Sequence, residues 1–357
     1  MRDPGYVPLV EVWRGDTVES VHFGAIAVVD AAGRTIGAAG DPETVTFLRS
    51  AAKPAQVLPL LESGAAERFG FTDEEIAVMV GSHGGEPLHV KTVRSILSKI
   101  GLDEGALQCG AHAPSYRPAA QDLRREGRVP TAIHNNCSGK HAGMLALAVH
   151  LGAPIATYLE ESHPVQRRIR ATVEALAGLE PGGTRTATDG CSAPNFAMPL
   201  GHAARMFARL VASARAAGGP RAASVERTAA EAAPAGALVT AARRVVEAMR
   251  RHPEMIAGTD RLCTTLMQTI GHALIAKIGA EGFYGLGYEH GGTGVGIALK
   301  IADGEGQRAR FSAALETLRQ LGLLDQEAAA ALRSRFVGDI RNHRGLTVGR
   351  VETVFHV

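Results

Sequence analysis

Strand-like segments stand at both ends of this 357-residue chain, and helical periodicity fills the middle. Strands that distant in sequence bury their apolar faces only by pairing across the whole chain, which restricts the choice of folds. Near the start, Leu9–Arg14 alternates, Asp16–Ser20 reads as a break, His22–Val29 is a second strand, and Arg34–Ala39 returns after the turn Asp30–Gly33. Near the end, Phe283–Glu289 and Val295–Ala302 read as strands, the latter closing at Asp303–Gly304, and Val351–Val357 as a last short one.

Between them, Thr72–Glu75 has the form of a capping box ahead of Ile76–Val80. Pro87–Ile100 is periodic at helical spacing, with Gly101 where a terminating glycine belongs. Ser162 is placed to cap Pro164–Ala177, and His202–Ala217 and Val239–Arg251 are Ala/Arg-rich amphipathic helices. Gly218–Pro220 breaks between these two, and Ala233–Gly236 reads as a surface loop. The expectation is an α+β fold: one antiparallel sheet built from both termini, with helices packed on it and a helical subdomain inserted. The corresponding domains are 1–80 with 255–357, discontinuous, and a mainly helical 81–254. No G-x-G-x-x-G follows a strand, so a dinucleotide site is not expected, and the glycines from Gly285 to Gly296 read as hairpin and bulge residues.

Bulk properties exclude several functions. A formal net charge of +2 is too small to imply nucleic acid or a membrane surface as partner. No apolar run approaches the roughly 18 residues of a membrane span. Residues Met1–Tyr6 lack the apolar core of a secretory signal, so a reducing, cytoplasmic setting is expected. There Cys109, Cys137, Cys191 and Cys263 are thiols or metal ligands rather than disulfides.

Lys53, Lys91, Lys99, Lys140, Lys277 and Lys300 are the only lysines; every other basic chain is Arg. Arg never gives up its proton and Lys can, so a lysine kept in such a chain draws attention. In Arg49–Pro54 (RSAAKP), Ser50 and Lys53 are three apart and share a helical face. Pro54 is harmless only in a first turn, which puts Ser50 at a helix N-terminus. For Lys53 to serve as a base near pH 7, its pKa must fall by about three pH units, worth about 4 kcal/mol. The plain alternative is a capped helix with a solvent-facing lysine. Gly81–Glu86 (GSHGGE) holds Ser82 and His83 among glycines, and is not a nucleophile elbow because Val80 stands where glycine is required. His134–Gly143 (HNNCSGKHAG) is dense in polar side chains and pairs with Thr188–Asn195 (TDGCSAPN) as a site wall or a wet loop. Cys137 and Cys191 lack zinc-ligand spacing, and on spacing alone each reads as a buried small thiol ahead of a metal ligand.

Taken together, these segments resemble the rhizobial-type, or class 3, L-asparaginases of the asparaginase II family. The matching runs are LVEVWRGD, RSAAKP, GSHGGE, LQCG-x-HAP, HNNCSGKHAGM, TDGCSAPNFAMPL, HPEMIAGTDR and AKIGAEG, in order from residue 9 to about residue 300. The resemblance implies a fold similar to serine β-lactamases and serine-dependent glutaminases. It implies two Ser–Lys pairs, Ser50 with Lys53 and Ser82 with Lys277. It implies zinc held by Cys137, Lys140 and Cys191, and a homodimer. Two departures stand out: Cys263 occupies a position where the family leads one to expect Asp, and Ala214–Ala237 is expanded.

On this reading Ser50 attacks the side-chain amide of L-asparagine, Lys53 takes its proton, and Lys277 with Ser82 delivers a proton to the departing ammonia. Which serine attacks is open. Arg49 and Asp189 are candidates for the substrate's carboxylate and amino groups, with His83 and Asn136 nearby in the motifs. Zinc is read as structural or substrate-organising. The rivals are a glutaminase or β-lactamase-like hydrolase, and a non-catalytic zinc- or amino-acid-binding protein.

Overall fold

In the computed structural model, residues 5–215 and 236–357 are described. Gly218–Pro220, Ala233–Ala235 and most of the expanded Ala-rich segment lie outside them. The strands are β1 (Val7–Arg14), β2 (Thr17–Asp30), β3 (Thr35–Ala39), β4 (Val45–Phe47), β5 (Arg185–Thr188), β6 (Pro194–Pro199), β7 (Leu274–Ile278), β8 (Phe283–His290), β9 (Thr293–Ile301), β10 (Ile340–Arg341) and β11 (Thr347–Thr353). The helices are α1 (Lys53–Gln56), α2 (Leu58–Glu62), α3 (Ala65–Phe69), α4 (Asp73–Val80), α5 (Pro87–Lys99), α6 (Arg117–Arg125), α7 (Ser138–Leu151), α8 (Pro164–Ala177), α9 (Leu200–Arg215), α10 (Ala237–Arg251), α11 (Pro253–Ile256), α12 (Leu262–Ile270), α13 (Arg308–Gln320) and α14 (Gln326–Phe336).

The chain divides into two compact units. The first comprises Met1–Ala51, Ala197–Arg209 and Ala276–Val357. Its sheet runs β10-β11-β1-β2-β9-β8-β7, with β3 also on β2. The N-terminal strands β1 and β2 lie side by side with C-terminal strands on either flank, and the pairs β1–β2, β1–β11, β2–β9 and β8–β9 are antiparallel. The second half of β2 reads GAIAVVD without alternation because both its faces are covered, and Ala25–Val29 are all buried. α13 packs on β1, β9 and β11.

Two local expectations are corrected here. Thr17–Ser20 belongs to β2, paired with β1; its polar residues are exposed strand, and the chain turns only at Gly15–Asp16. Gly291 and Gly292, with φ of 54° and 84°, make the β8–β9 hairpin, but the β8–β9 register is unbroken, so Gly296 is no bulge. A Cβ at Gly296 would strike the Ala204 carbonyl of α9, so glycine there lets a helix lie close on the strand.

The second unit comprises Ala52–Phe196 and Leu210–Ile275 and is mainly helical. The Thr72 capping box forms as its sequence dictates, with Thr72 N–H on Glu75 and Glu75 N–H on Thr72. His163 rather than Ser162 caps α8, its Nδ1 accepting from Val165 N–H. At the centre lies α7, buried without interruption from Ser138 to Ala148. Its polar first turn, SGKH, is therefore interior, where polar groups need partners. Among the described residues no helix is long and apolar enough to cross a membrane.

Candidate active site

Lys53 opens α1 and is 1% exposed. Its Nζ donates to Gly81 O at 2.6 Å, to Ser82 Oγ at 2.9 Å and to Asn136 O at 3.3 Å. Three acceptors match the three protons of an ammonium; on losing one, the amine's lone pair would face the Ser82 hydroxyl. Burial lowers the Lys53 pKa; the Cys137 sulfur opposes that and the Lys140 charge assists it.

Ser82 is held by its surroundings on every side of its loop. Gly81, C-terminal to α4, lies so close to the Met255 carbonyl that no side chain fits there. Ser82 N–H donates to Ile256 O at 2.8 Å. His83 is wholly buried: its Nδ1 accepts from Gly85 N–H, so Nε2 carries the proton and donates to Ser138 Oγ at 3.0 Å, which in turn donates to Ile133 O. The ring stacks on His89 at 4.9 Å. Glu86, also buried, accepts from the Thr259 N–H and hydroxyl, both at 2.7 Å. Thus the 253–259 segment, from the HPEMIAGTDR run, fixes the serine loop.

Asn136 presents its carbonyl to Lys53 and gives its N–H to His112 Nε2 at 2.9 Å. Asn135 braces the same turn, donating to Cys109 O and Gly110 O and accepting from Cys137 N–H. Next in the chain, Cys137 and Lys140 meet Cys191. Lys140 Nζ lies 3.0 Å from Cys191 Sγ, and the two sulfurs are hydrogen-bonded to each other. The Asp189–Ala193 turn, closed by Asp189 N–H on Ala193 O with Ser192 at φ 68°, presents Cys191. All three side chains are buried. The hydrogen bond from Cys191 pulls the Cys137 thiol well down, with Lys53 and Lys140 adding to the effect, while the same bond pushes Cys191 up. Burial works against the Lys140 charge, but the two sulfurs outweigh it and raise its pKa. Two converging sulfurs and an amine suit a soft-leaning cation such as zinc, provided Lys140 is deprotonated on binding and Cys137 Sγ gives up its hydrogen bond to Asn136 Oδ1 at 3.2 Å. Among the described residues there is no group of three or more His, Cys, Asp or Glu that could hold a metal ion, so a metal here needs the lysine.

Of the other residues singled out in the sequence, Arg49, Ser50 and Lys277 belong to the first unit and Cys263 to the second. The division falls between Ala51 and Ala52, so the RSAAKP run straddles it. Arg49–Ala52 is a 3-10 turn leading into α1, which places Ser50 in a first turn, as its proline implies. Arg49 has φ of 52° and lies 3.9 Å from Glu281, itself at φ 54°. A non-glycine residue held in that region is strained, and strain of this kind clusters at functional sites. Lys277 lies on β7, wholly buried, with Nζ 3.0 Å from Ile278 O. Cys263 lies buried in α12.

The second unit thus gathers Lys53, Ser82, His83, Asn136, Cys137, Lys140, Asp189 and Cys191. Residue-by-residue reading missed the braces: Asn135, His112, Glu86 and Thr259. Their signal was present only as long matched runs, since a brace has no chemistry of its own to announce it.

Among solved structures the chain is similar to Mglu in its native form, at 16% identity and a TM-score of 0.42, covering 84% of this chain and 65% of that one. A second Mglu structure gives 17% and 0.44, covering 85% and 68%. Mglu in its tris and glutamate form gives 16% and 0.43, covering 85% and 60%. No curated protein matches the sequence. The L-asparaginase II profile matches residues 10–353. The chain belongs to the L-asparaginase II family.

Proposed function

We propose that the chain hydrolyses the side-chain amide of L-asparagine to L-aspartate and ammonia through an acyl-enzyme formed on serine. The observation that carries this reading is the buried Lys53 amine 2.9 Å from the Ser82 hydroxyl, inside a loop fixed from several sides. A binding protein has no use for a lysine stripped of water beside a serine; a base does. Family membership supplies the amide substrate.

In the reading carried by the sequence match, Ser50 Oγ attacks the amide carbon while neutral Lys53 takes its proton. The tetrahedral intermediate collapses, the C–N bond breaks, and ammonia leaves with a proton relayed through Ser82 and Lys277. Water then repeats the sequence on the ester. Arg49 and Asp189 are assigned the substrate's carboxylate and amino groups on sequence alone. The Lys53–Ser82 contact favours a second reading in which Ser82 itself attacks. Cys137, Lys140 and Cys191 would hold zinc; bound there, it would supply positive charge and fix the start of α7. A β-lactamase- or glutaminase-like fold, a homodimer and a cytoplasmic location complete the proposal.

The test is ammonia release from asparagine and from glutamine by purified protein, with Lys53→Met, Ser50→Ala and Ser82→Ala alongside. Asparagine is expected to be the better substrate and Lys53→Met inactive. Acid quenching followed by peptide mass spectrometry shows which serine carries the aspartyl group. No ammonia from either amide, with asparagine still bound, would leave a non-catalytic amino-acid-binding protein.

A further inference from the structure

Within the second unit, a cavity of ≈ 350 Å³ opens between α5, α6 and the turn at His134, and it contains none of the residues assigned above to chemistry or metal binding. That volume lies within the roughly 300–1,000 Å³ of small-molecule pockets. Its body is apolar: Val90, Pro114, Ala119 and Leu123 are buried in its wall.

Most of its charged lining is already matched. Arg94 pairs with Glu104 at 3.5 Å, Arg128 with Glu126 at 2.9 Å, and Asp122 with Arg125. Two groups remain. Lys91, exposed on α5, has no ion pair among the described residues. His134 is 5% exposed, and its Nδ1 accepts the Thr131 N–H at 3.0 Å, which leaves Nε2 as an N–H donor that no hydrogen bond uses among the described residues. Both open groups are donors and one is cationic, against an apolar wall.

We propose that this cavity is a second binding site, for a small organic carboxylate with an apolar body. The carboxylate takes the Lys91 ammonium and the His134 Nε2–H, and the body lies on Val90, Pro114, Ala119 and Leu123. Gly85 and His134 line it, so the ligand touches both the Ser82 loop and the turn that runs on to Asn136 and Cys137.

Calorimetric titration of the full chain with benzoate and with benzamide tests this, in low salt and with aspartate present throughout to occupy the proposed active site. Benzoate is expected to bind at about 1 mM or tighter, and benzamide, which keeps the ring and drops the charge, at least about tenfold more weakly. Lys91→Met removes the charge at an exposed position, and Ala119→Leu fills the cavity while keeping the charge. Each is expected to weaken benzoate at least about tenfold without changing ammonia release from asparagine, which also separates failure here from failure of the proposed activity. Equal affinity for the two probes, unchanged benzoate affinity in Lys91→Met, or no benzoate binding in the presence of aspartate would overturn the assignment.

Discussion

Three of the six lysines are buried: Lys53 at 1% exposure, Lys140 at 5% and Lys277 at 0%. An ammonium taken out of water is held only at a cost of several kcal/mol unless it is paired or neutralised. Lys140 is paired, with thiol sulfurs. Lys53 Nζ donates to three neutral oxygens, and although the Cys137 and Cys191 sulfurs favour its charge, burial outweighs them and lowers its pKa, so the interior holds the charge less well than water does. Lys53→Met keeps the length and removes the charge. Losing hydrogen bonds and losing a buried charge oppose one another at about 1 kcal/mol each, so the urea midpoint should scarcely move. Ammonia release should nevertheless fall by roughly 10²–10⁴-fold. Lys53→Arg, by contrast, adds volume to a full site and a charge that cannot be shed. It should be as inactive and about 1–3 kcal/mol less stable. A Lys53→Met protein that retains its rate excludes this lysine as the base.

At the scale of elements, the start of α7 is set by its crossing with α4. A Cβ at Gly139 would run into the Val78 carbonyl, whereas one at Gly143 would come within 3.1 Å of the Met79 sulfur. Alanine favours a helix over glycine by about 1 kcal/mol in both cases. A backbone carbonyl cannot yield and a thioether can, so Gly139→Ala should lose about 1–3 kcal/mol in urea unfolding while Gly143→Ala stays within about 1 kcal/mol of the parent. The serine loop gives a second expectation. Thr259→Val leaves one oxygen of buried Glu86 without its hydroxyl, costing about 1–3 kcal/mol, and should lower kcat more than it raises KM because Ser82 loses its support rather than the substrate a contact. The elements themselves were legible to different degrees. The capping box at Thr72, the helix over 87–99 and the other terminal strands follow from local pattern, because each satisfies its own backbone or its own alternation, whereas the last strand spans Thr347–Thr353 rather than Val351–Val357. Thr17–Ser20 was misread as a break because an exposed stretch of strand carries no apolar signal. Gly296 was misread because the helix that crowds it lies about ninety residues away in sequence. The Cys137, Lys140 and Cys191 cluster was reached through the family resemblance, since the structure joins residues whose spacing carries no ligand pattern.

For the molecule as a whole, acid should destabilise it in a window set by buried histidines rather than carboxylates. Burial lowers the pKa of both His83 and His89, and each ring uses Nδ1 to accept a backbone N–H, from Gly85 and Glu86 respectively. Protonation at Nδ1 turns each of those acceptors into a donor facing a donor. In the unfolded chain a histidine takes its proton near pH 6.5. Below that value the unfolded state binds protons that the folded state refuses, so unfolding free energy decreases as pH falls, by up to about 1.4 kcal/mol per pH unit for each ring, and the decrease stops only below the folded values. Carboxylates act in the same direction but lower down. Burial raises Glu174, yet hydrogen bonds from Thr184, Gly182 and Arg170 outweigh it and hold it below the usual range, so its contribution is lost only beneath about pH 4.5. Burial lowers His134 and His141 as well, so urea midpoints between about pH 7.5 and pH 5 report four rings together, and only the difference between the parent and a single-histidine variant isolates one of them. The parent should lose stability across that interval, and His89→Gln should lose it with a slope smaller by one proton. A flat profile between those limits would show that all four rings accept their protons in the fold, and that the Ser82 loop is not held by neutral imidazole.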